Sequence, residues 1–205
     1  MPIEIPCKLW LAPTCWVLCI GVGLGLAIEH DIRPALTTNP PAELPTQSIS
    51  QVTGSSLLML FVHPHCPCSR ASLSEFTSIV QSARQPLTAQ VVFVKPAGAS
   101  TGWEKSPLWD VACEIPGVSV ICDDDGRLAS KFHVTTSGHA VHYDRSGQLI
   151  FSGGITASRG HYGSNSASDS LIALVNNESS HQQCSPVFGC HLINQPITPL
   201  EAPSP

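Results

Sequence analysis

An unbroken apolar run, Leu57 to Val62, leads directly into His-Pro-His-Cys-Pro-Cys-Ser-Arg and then into a helical pattern. Few folds accept that junction. A short run apolar at every position predicts a strand covered on both faces. Leu73, Phe76, Ile79, Val80 and Ala83 then recur at three- and four-residue steps, which predicts one buried face of a helix. Cys66 and Cys68 therefore fall between the end of a buried strand and the start of a helix.

The pattern continues as an alternation. Gln90 to Val94 reads as a second strand and Val118 to Cys122 as a third, with a short helix over Pro107 to Cys113 between them, its proline in the first turn. Asp123-Asp124-Asp125-Gly126 signals a turn and a helix start, with a short helix running to about His133. The ligand spacing of a calcium-binding EF-hand is absent there. His139 to Tyr143 and Gln148 to Ser152 predict two strands joined by Asp144-Arg145-Ser146-Gly147, a hairpin signal, and Ala167 to Asn176 a last helix. Strands alternating with helices imply an α/β fold. Its mixed central sheet is mostly parallel, has helices on both faces, and ends in an antiparallel pair.

Leu9 to Ile28 carries no charge. At ~1.5 Å per residue such a helix spans a hydrocarbon core of about 30 Å. Lys8 precedes it, and Glu29 and Asp31 follow. The positive-inside bias then leaves the N-terminus in the cytoplasm and the remainder outside. The competing reading is a signal peptide cleaved after Gly25-Leu26-Ala27; its length favours an anchor. Residues 34–50 are rich in proline and lack periodicity, which reads as an extended tether. The expected organisation is a membrane anchor over 1–29, a proline-rich linker over 30–52, a folded domain over 53–178 and a cysteine- and proline-containing tail over 179–205. The net charge of −5 comes without any basic run, which argues against a nucleic-acid partner.

Nine cysteines are many for 205 residues, and an odd number cannot all pair within one chain. Cys7, Cys15 and Cys19 lie in or beside the first apolar stretch and read as apolar filler. Cys113 and Cys122 read as buried apolar residues. Cys184 and Cys190 read as a structural disulfide pinning the tail, or else as a second redox pair relaying electrons to Cys66 and Cys68.

The element order, with a cysteine pair directly after the first long strand, resembles the thioredoxin-like superfamily, in particular membrane-anchored periplasmic members of the TlpA/ResA kind. FVHPHCPCSRASLSEF, FSGGITASRGHYG and PVFGC resemble the thioredoxin-like proteins named RedB. The resemblance spans roughly residues 53–178. It implies a thioredoxin-like fold after a transmembrane helix, thiol–disulfide exchange at Cys66 and Cys68, and no cofactor. It also implies protein thiols or disulfides, or a membrane electron donor, as partners. The location it implies is the bacterial inner membrane, single-pass through residues 9–28, with the C-terminal domain in the periplasm. Two departures from the family pattern are visible. Pro67 alone separates the two cysteines, where the family has two residues, and Gly138 stands where the family has a cis-proline.

The chemistry follows from position. Pro67 suits a first helical turn, which places Cys66 at the cap and Cys68 just inside, where free N–H groups and the helix dipole favour a thiolate. His65 and Arg70 add positive charge. Cys66 is expected to be the more exposed thiol and the nucleophile. Closing a disulfide across a single residue gives a strained ring, which tends towards an oxidising pair. The loop with Thr136, Gly138 and His139, and the SRGHYG loop with Arg159 and His161, are the candidate substrate contacts. The alternative is a copper-binding or copper-delivery module of the same fold. His63, His65, Cys66 and Cys68 offer imidazole and thiolate ligands within six residues, with His139 as a distant histidine of the kind SCO proteins use. A docking domain with neither chemistry is the third reading.

Overall fold

A computed structural model describes residues 8–35, 38–45, 54–180 and 182–193 of the chain, with side chains from residue 13 onward. Cys7, the 46–53 stretch and residues 194–205 lie outside the described residues. The chain divides into two compact units, 1–33 and 34–205.

The first unit holds helix α1, Lys8–Ile32. Its apolar residues are not confined to one face. Trp16, Leu18, Val22 and Leu26 are all about two-thirds exposed, at 66 %, 68 %, 63 % and 63 %. A helix apolar all round needs an apolar surrounding. Pro13–Ile32 is long and apolar enough to cross a membrane. A signal sequence meets the same description.

The second unit is built on a six-stranded mixed sheet. Its elements run β1 Ser56–Val62, α2 Ser69–Gln81, β2 Leu87–Lys95, α3 Pro107–Cys113, β3 Val118–Asp124, α4 Arg127–Lys131, β4 His139–Tyr143, β5 Leu149–Gly154, α5 Ser166–Val175 and β6 Cys184–Ser185. In space the strands order as β3-β2-β1-β4-β5-β6. β1, β2 and β3 are parallel, β4 runs antiparallel to both β1 and β5, and β6 joins β5 in parallel. This is the mixed sheet the sequence predicts, with one strand more.

Strand β1 is central, and every one of its residues is buried. Its alternate side chains feed two cores. Leu58, Leu60 and Val62 pack with Leu73, Phe76 and Ile79 of α2, Leu108 of α3 and Leu171 of α5. Leu57, Met59 and Phe61 pack with Ala129 of α4, Phe132, Val134, Tyr143 and Leu192 on the other face. The period of two along a strand explains why a run with no polar position was needed. Helix starts follow local rules. Ser106 caps α3 with Pro107 at its first position. The buried Asp123 carboxylate accepts the N–H groups of Leu128 and Ala129 at 2.8 Å each, which seats α4.

Three expectations change. The stretch after α1 is extended, but part of it lies on the domain. Ala35 N–H donates to the Val187 carbonyl, Leu44 N–H to Gly147 and Leu149 N–H to Ala42, at 2.8 Å each. The Tyr143 hydroxyl donates to Pro41 O at 2.9 Å. Proline forbids regular structure there without forbidding edge contacts. Cys113 is exposed and Cys122 partly so. Cys113 ends a short helix, and Cys122 sits on β3, the edge strand, so neither reaches a core. The tail, finally, contributes β6, and residues 187–192 return across the domain to the sheet's cysteine end, with Val187 and Leu192 each 1 % exposed.

Candidate functional site

The chain leaves β1 through two successive tight turns. Cys66 N–H donates to the His63 carbonyl at 3.1 Å, and Ser69 N–H donates to the Cys66 carbonyl at 3.1 Å. Helix α2 starts only at Ser69, with Cys68 as its cap. Cys66, expected at the cap, therefore lies two residues ahead of it. It is also the buried cysteine of the pair, at 1 % exposure, whereas Cys68 is half-buried. The expectation that Cys66 is the more exposed is reversed, because the tail lies over it.

The covering group is Cys190. Its Sγ lies 2.9 Å from the Sγ of Cys66. Cys184 is exposed on β6, and the two tail cysteines are not joined. The sulfur contact Cys190 makes is therefore with Cys66 and not within the tail. Backbone pairing sends Cys190 to Cys66, while Cys184 stays with β5 opposite Ser152.

The three thiols differ in electrostatics. Burial alone would push the Cys66 thiol up. Hydrogen bonds from the Cys190 thiol and backbone, the Ser69 hydroxyl and the Cys68 backbone outweigh it and hold Cys66 below an ordinary thiol. Burial and the neighbouring Cys66 push Cys68 up, opposed by Arg159. Burial and Cys66 push Cys190 up to about 12, again opposed by Arg159. When one member of the cluster ionises, the negative charge settles on Cys66 and the others serve as donors.

Arg159 is the cation of the site. Its Nη1 donates to the Gly189 carbonyl at 2.7 Å, and its charge acts on both Cys68 and Cys190. Arg70 does not take this part; it is exposed on α2. The loop bearing Arg159 is tied down by Glu75 of α2. That buried carboxylate accepts from Gly163 N–H at 2.7 Å and from the Ser168 hydroxyl at 2.9 Å. His161, on the same loop, is exposed, and among the described residues no hydrogen bond or ring contact joins it to the cysteines.

The loop ahead of β4 forms the other wall. Ser137 Oγ accepts from His63 N–H at 2.9 Å and bonds the Ser69 hydroxyl at 2.7 Å. Gly138 has φ +86, and a Cβ there would approach Ser72 Oγ to 2.8 Å. Thr136 is 2 % exposed, and among the described residues its hydroxyl has no hydrogen-bond partner. His139 is buried, with Nε2 on the Ser152 hydroxyl at 2.8 Å, and burial lowers it to about 4. At neutral pH it is uncharged and held against Ser152 of β5.

The histidines beside the cysteines are engaged with Trp103. Its ring stands edge-on to His63 and His65, with centroids 5.4 Å and 4.6 Å away. His65 Nε2 bonds the Trp103 carbonyl at 3.0 Å, and His63 Nδ1 accepts the His65 N–H at 3.2 Å. Among the described residues no three His, Cys, Asp or Glu side chains converge as a metal site requires. The copper donor set of His63, His65, Cys66 and Cys68 does not fit, since its imidazoles are turned to the tryptophan and to each other. Trp103 itself escaped the sequence, where a single aromatic in a Gly- and Ser-containing loop gives no signal.

No protein-family model matches the chain, and no curated protein matches it in sequence. Its backbone is similar to that of an uncharacterized conserved protein from Geobacillus kaustophilus. The TM-score is 0.58 at 16 % identity, over 80 % of this chain and 94 % of that one. A hypothetical protein from Sinorhizobium meliloti 1021 gives a TM-score of 0.58 at 16 % identity, over 77 % and 94 %. The exposed lipoprotein thioredoxin of Streptococcus pneumoniae gives a TM-score of 0.46 at 16 % identity, over 66 % and 97 %. At these identities the likeness concerns the fold alone. The strand order, with β1, which leads into the cysteines, between a parallel β2 and an antiparallel β4, is thioredoxin-like.

Proposed function

We propose that the protein is a membrane-tethered thiol–disulfide oxidoreductase in which Cys66 is the reacting thiol and Cys68 its neighbour in the redox motif. The observation that carries this is the contrast among the thiols, with Cys66 held low while Cys68 and Cys190 are raised. A thiolate is the species that attacks a disulfide sulfur. The Ser69 and backbone hydrogen bonds that stabilise it come from the same turn that the CPCS sequence builds.

In the reductive direction the Cys66 thiolate attacks a partner disulfide and forms a mixed disulfide, and one partner sulfur leaves. A second protein thiol then displaces the other partner sulfur from Cys66. The partner gains two electrons and two protons, and the protein becomes a disulfide. The reverse sequence oxidises a partner dithiol. Partners on this reading are protein thiols or disulfides, or a membrane electron donor. Of the candidate substrate contacts Arg159 stands at the sulfurs; Thr136 and Gly138 lie under the 187–192 segment and meet a partner only when that segment lifts, and His139 and His161 lend no contact. The motif resemblance to TlpA/ResA-type and RedB-type proteins supports the same chemistry. On this reading the domain lies on the periplasmic side of a bacterial inner membrane, anchored by α1, which the apolar run Pro13–Ile32 supports.

Trapping tests the proposal. In a Cys68→Ser, Cys190→Ser double variant nothing nearby resolves an adduct, so Cys66 should retain a partner as a stable mixed disulfide. Cys66→Ser should abolish trapping. Equal trapping by Cys66→Ser and the double variant would show that another cysteine reacts.

A further inference from the structure

We propose that Cys190 is a third redox thiol of this site, delivered by strand pairing between residues 190–192 and 135–137, and that it forms a disulfide with Cys66. The inference rests on the reading of Cys66 as the reacting thiol and names the thiol that resolves it.

The contact is a built one. Ser137 N–H donates to the Cys190 carbonyl at 2.8 Å and Leu192 N–H to the Thr135 carbonyl at 2.9 Å. Thr136 and His191 form an antiparallel bridge between these hydrogen bonds. Arg159 holds the Gly189 carbonyl at 2.7 Å, one residue before the thiol. Gly189 packs so closely on Ser137 that a Cβ would fall inside the Ser137 carbonyl. Val187, Phe188 and Leu192 are buried on either side, at 1 %, 8 % and 1 % exposure. Together these contacts hold Cys190 Sγ over Cys66 Sγ at 2.9 Å. A disulfide bond measures ~2.05 Å, so closure asks for roughly an ångström of side-chain movement. The alternative closure, Cys66 to Cys68, must bend a ring across one residue.

The chemistry balances. A partner disulfide is attacked by Cys66 when the 190–192 strand lifts, and one partner thiolate leaves and is protonated. As the strand reseats, Cys190 loses its proton and attacks the Cys66 sulfur of the mixed disulfide. The second partner thiolate leaves and takes up that proton. One partner disulfide becomes two thiols, and two protein thiols become Cys66–Cys190. Cys190 is itself exposed. An incoming thiolate can therefore reopen the bond from outside, with the stabilised Cys66 thiolate as leaving group.

The test uses the full chain in detergent, with glutathione disulfide as oxidant, alkylation of remaining thiols and non-reducing peptide mapping. The expected product is a Cys66–Cys190 linked peptide in the unsubstituted chain and in Cys68→Ser. In Cys68→Ser, Cys190→Ser, the glutathione adduct on Cys66 should accumulate several-fold above its level in Cys68→Ser alone. If Cys190 stays alkylatable while Cys66–Cys68 forms, or is found only with Cys184, the Cys190 assignment is overturned and the proposed function stands. If Cys66 acquires neither glutathione nor a disulfide in any of the three proteins, both fall. The mapping of the unsubstituted chain decides the matter independently of how the variants fold.

Discussion

Cys66, Cys68 and Cys190 are chemically the same residue, and their surroundings make them different. Cys66 collects donors while its neighbours lose theirs. Its alkylation rate should therefore rise with pH along a curve centred below the ~8.5 of a free thiol, even if burial makes the rate slow at every pH. A midpoint at or above that value, measured by mass spectrometry of the Cys66 peptide, would contradict the assignment. The buried histidines make a second prediction. His139 and His142 are lowered to about 4 by burial. Between about 4 and the ordinary histidine value of 6.5 the unfolded chain binds protons that the folded one does not. Stability should thus be intact above pH 6.5 and fall as the pH drops towards 4, by up to roughly 1.4 kcal/mol per unit per histidine. Denaturant midpoints across that range check it, and a flat profile would show that neither ring is buried neutral.

At the scale of elements, β1 and α2 were legible because the signals are local: an all-apolar run and a helical stripe. The turns between them were not, because a proline suits a first helical position as well as a turn. Strand β6 and the return of the tail were not. The pairing of β6 covers two residues, and its partner is set by tertiary contact. The contact between Cys66 and Cys190 spans 124 positions, with no pattern connecting them. A faint signal existed in Gly153, Gly154 and Gly189, where any Cβ would strike the tail or the loop beneath it. Gly189→Ala should accordingly unseat the 190–192 strand and raise Cys66 alkylation several-fold; an unchanged rate would mean the tail does not shield it. Glu75 is an element-scale anchor of the same kind. Glu75→Ala leaves the Gly163 N–H and Ser168 hydroxyl without their acceptor, at a cost of about 1–3 kcal/mol. It should also open the 158–165 loop to proteolysis. Unchanged stability and cleavage would remove Glu75 from the support of Arg159.

At the scale of the whole molecule, an apolar helix precedes a thioredoxin-like domain, and the sulfur chemistry proposed for that domain needs access to partners. The orientation proposed for α1 predicts that a reporter requiring export is active when fused after Pro205; activity of a cytoplasm-only reporter there would reverse it. The central claim, that Cys66 undergoes reversible thiol–disulfide exchange, is tested most directly by equilibrating the full chain in glutathione buffers of graded potential and quantifying reduced Cys66 by alkylation. The account predicts a reversible two-electron transition, with the reduced-to-oxidised ratio changing tenfold per ~30 mV. A Cys66 that stays fully alkylatable at every potential would contradict it.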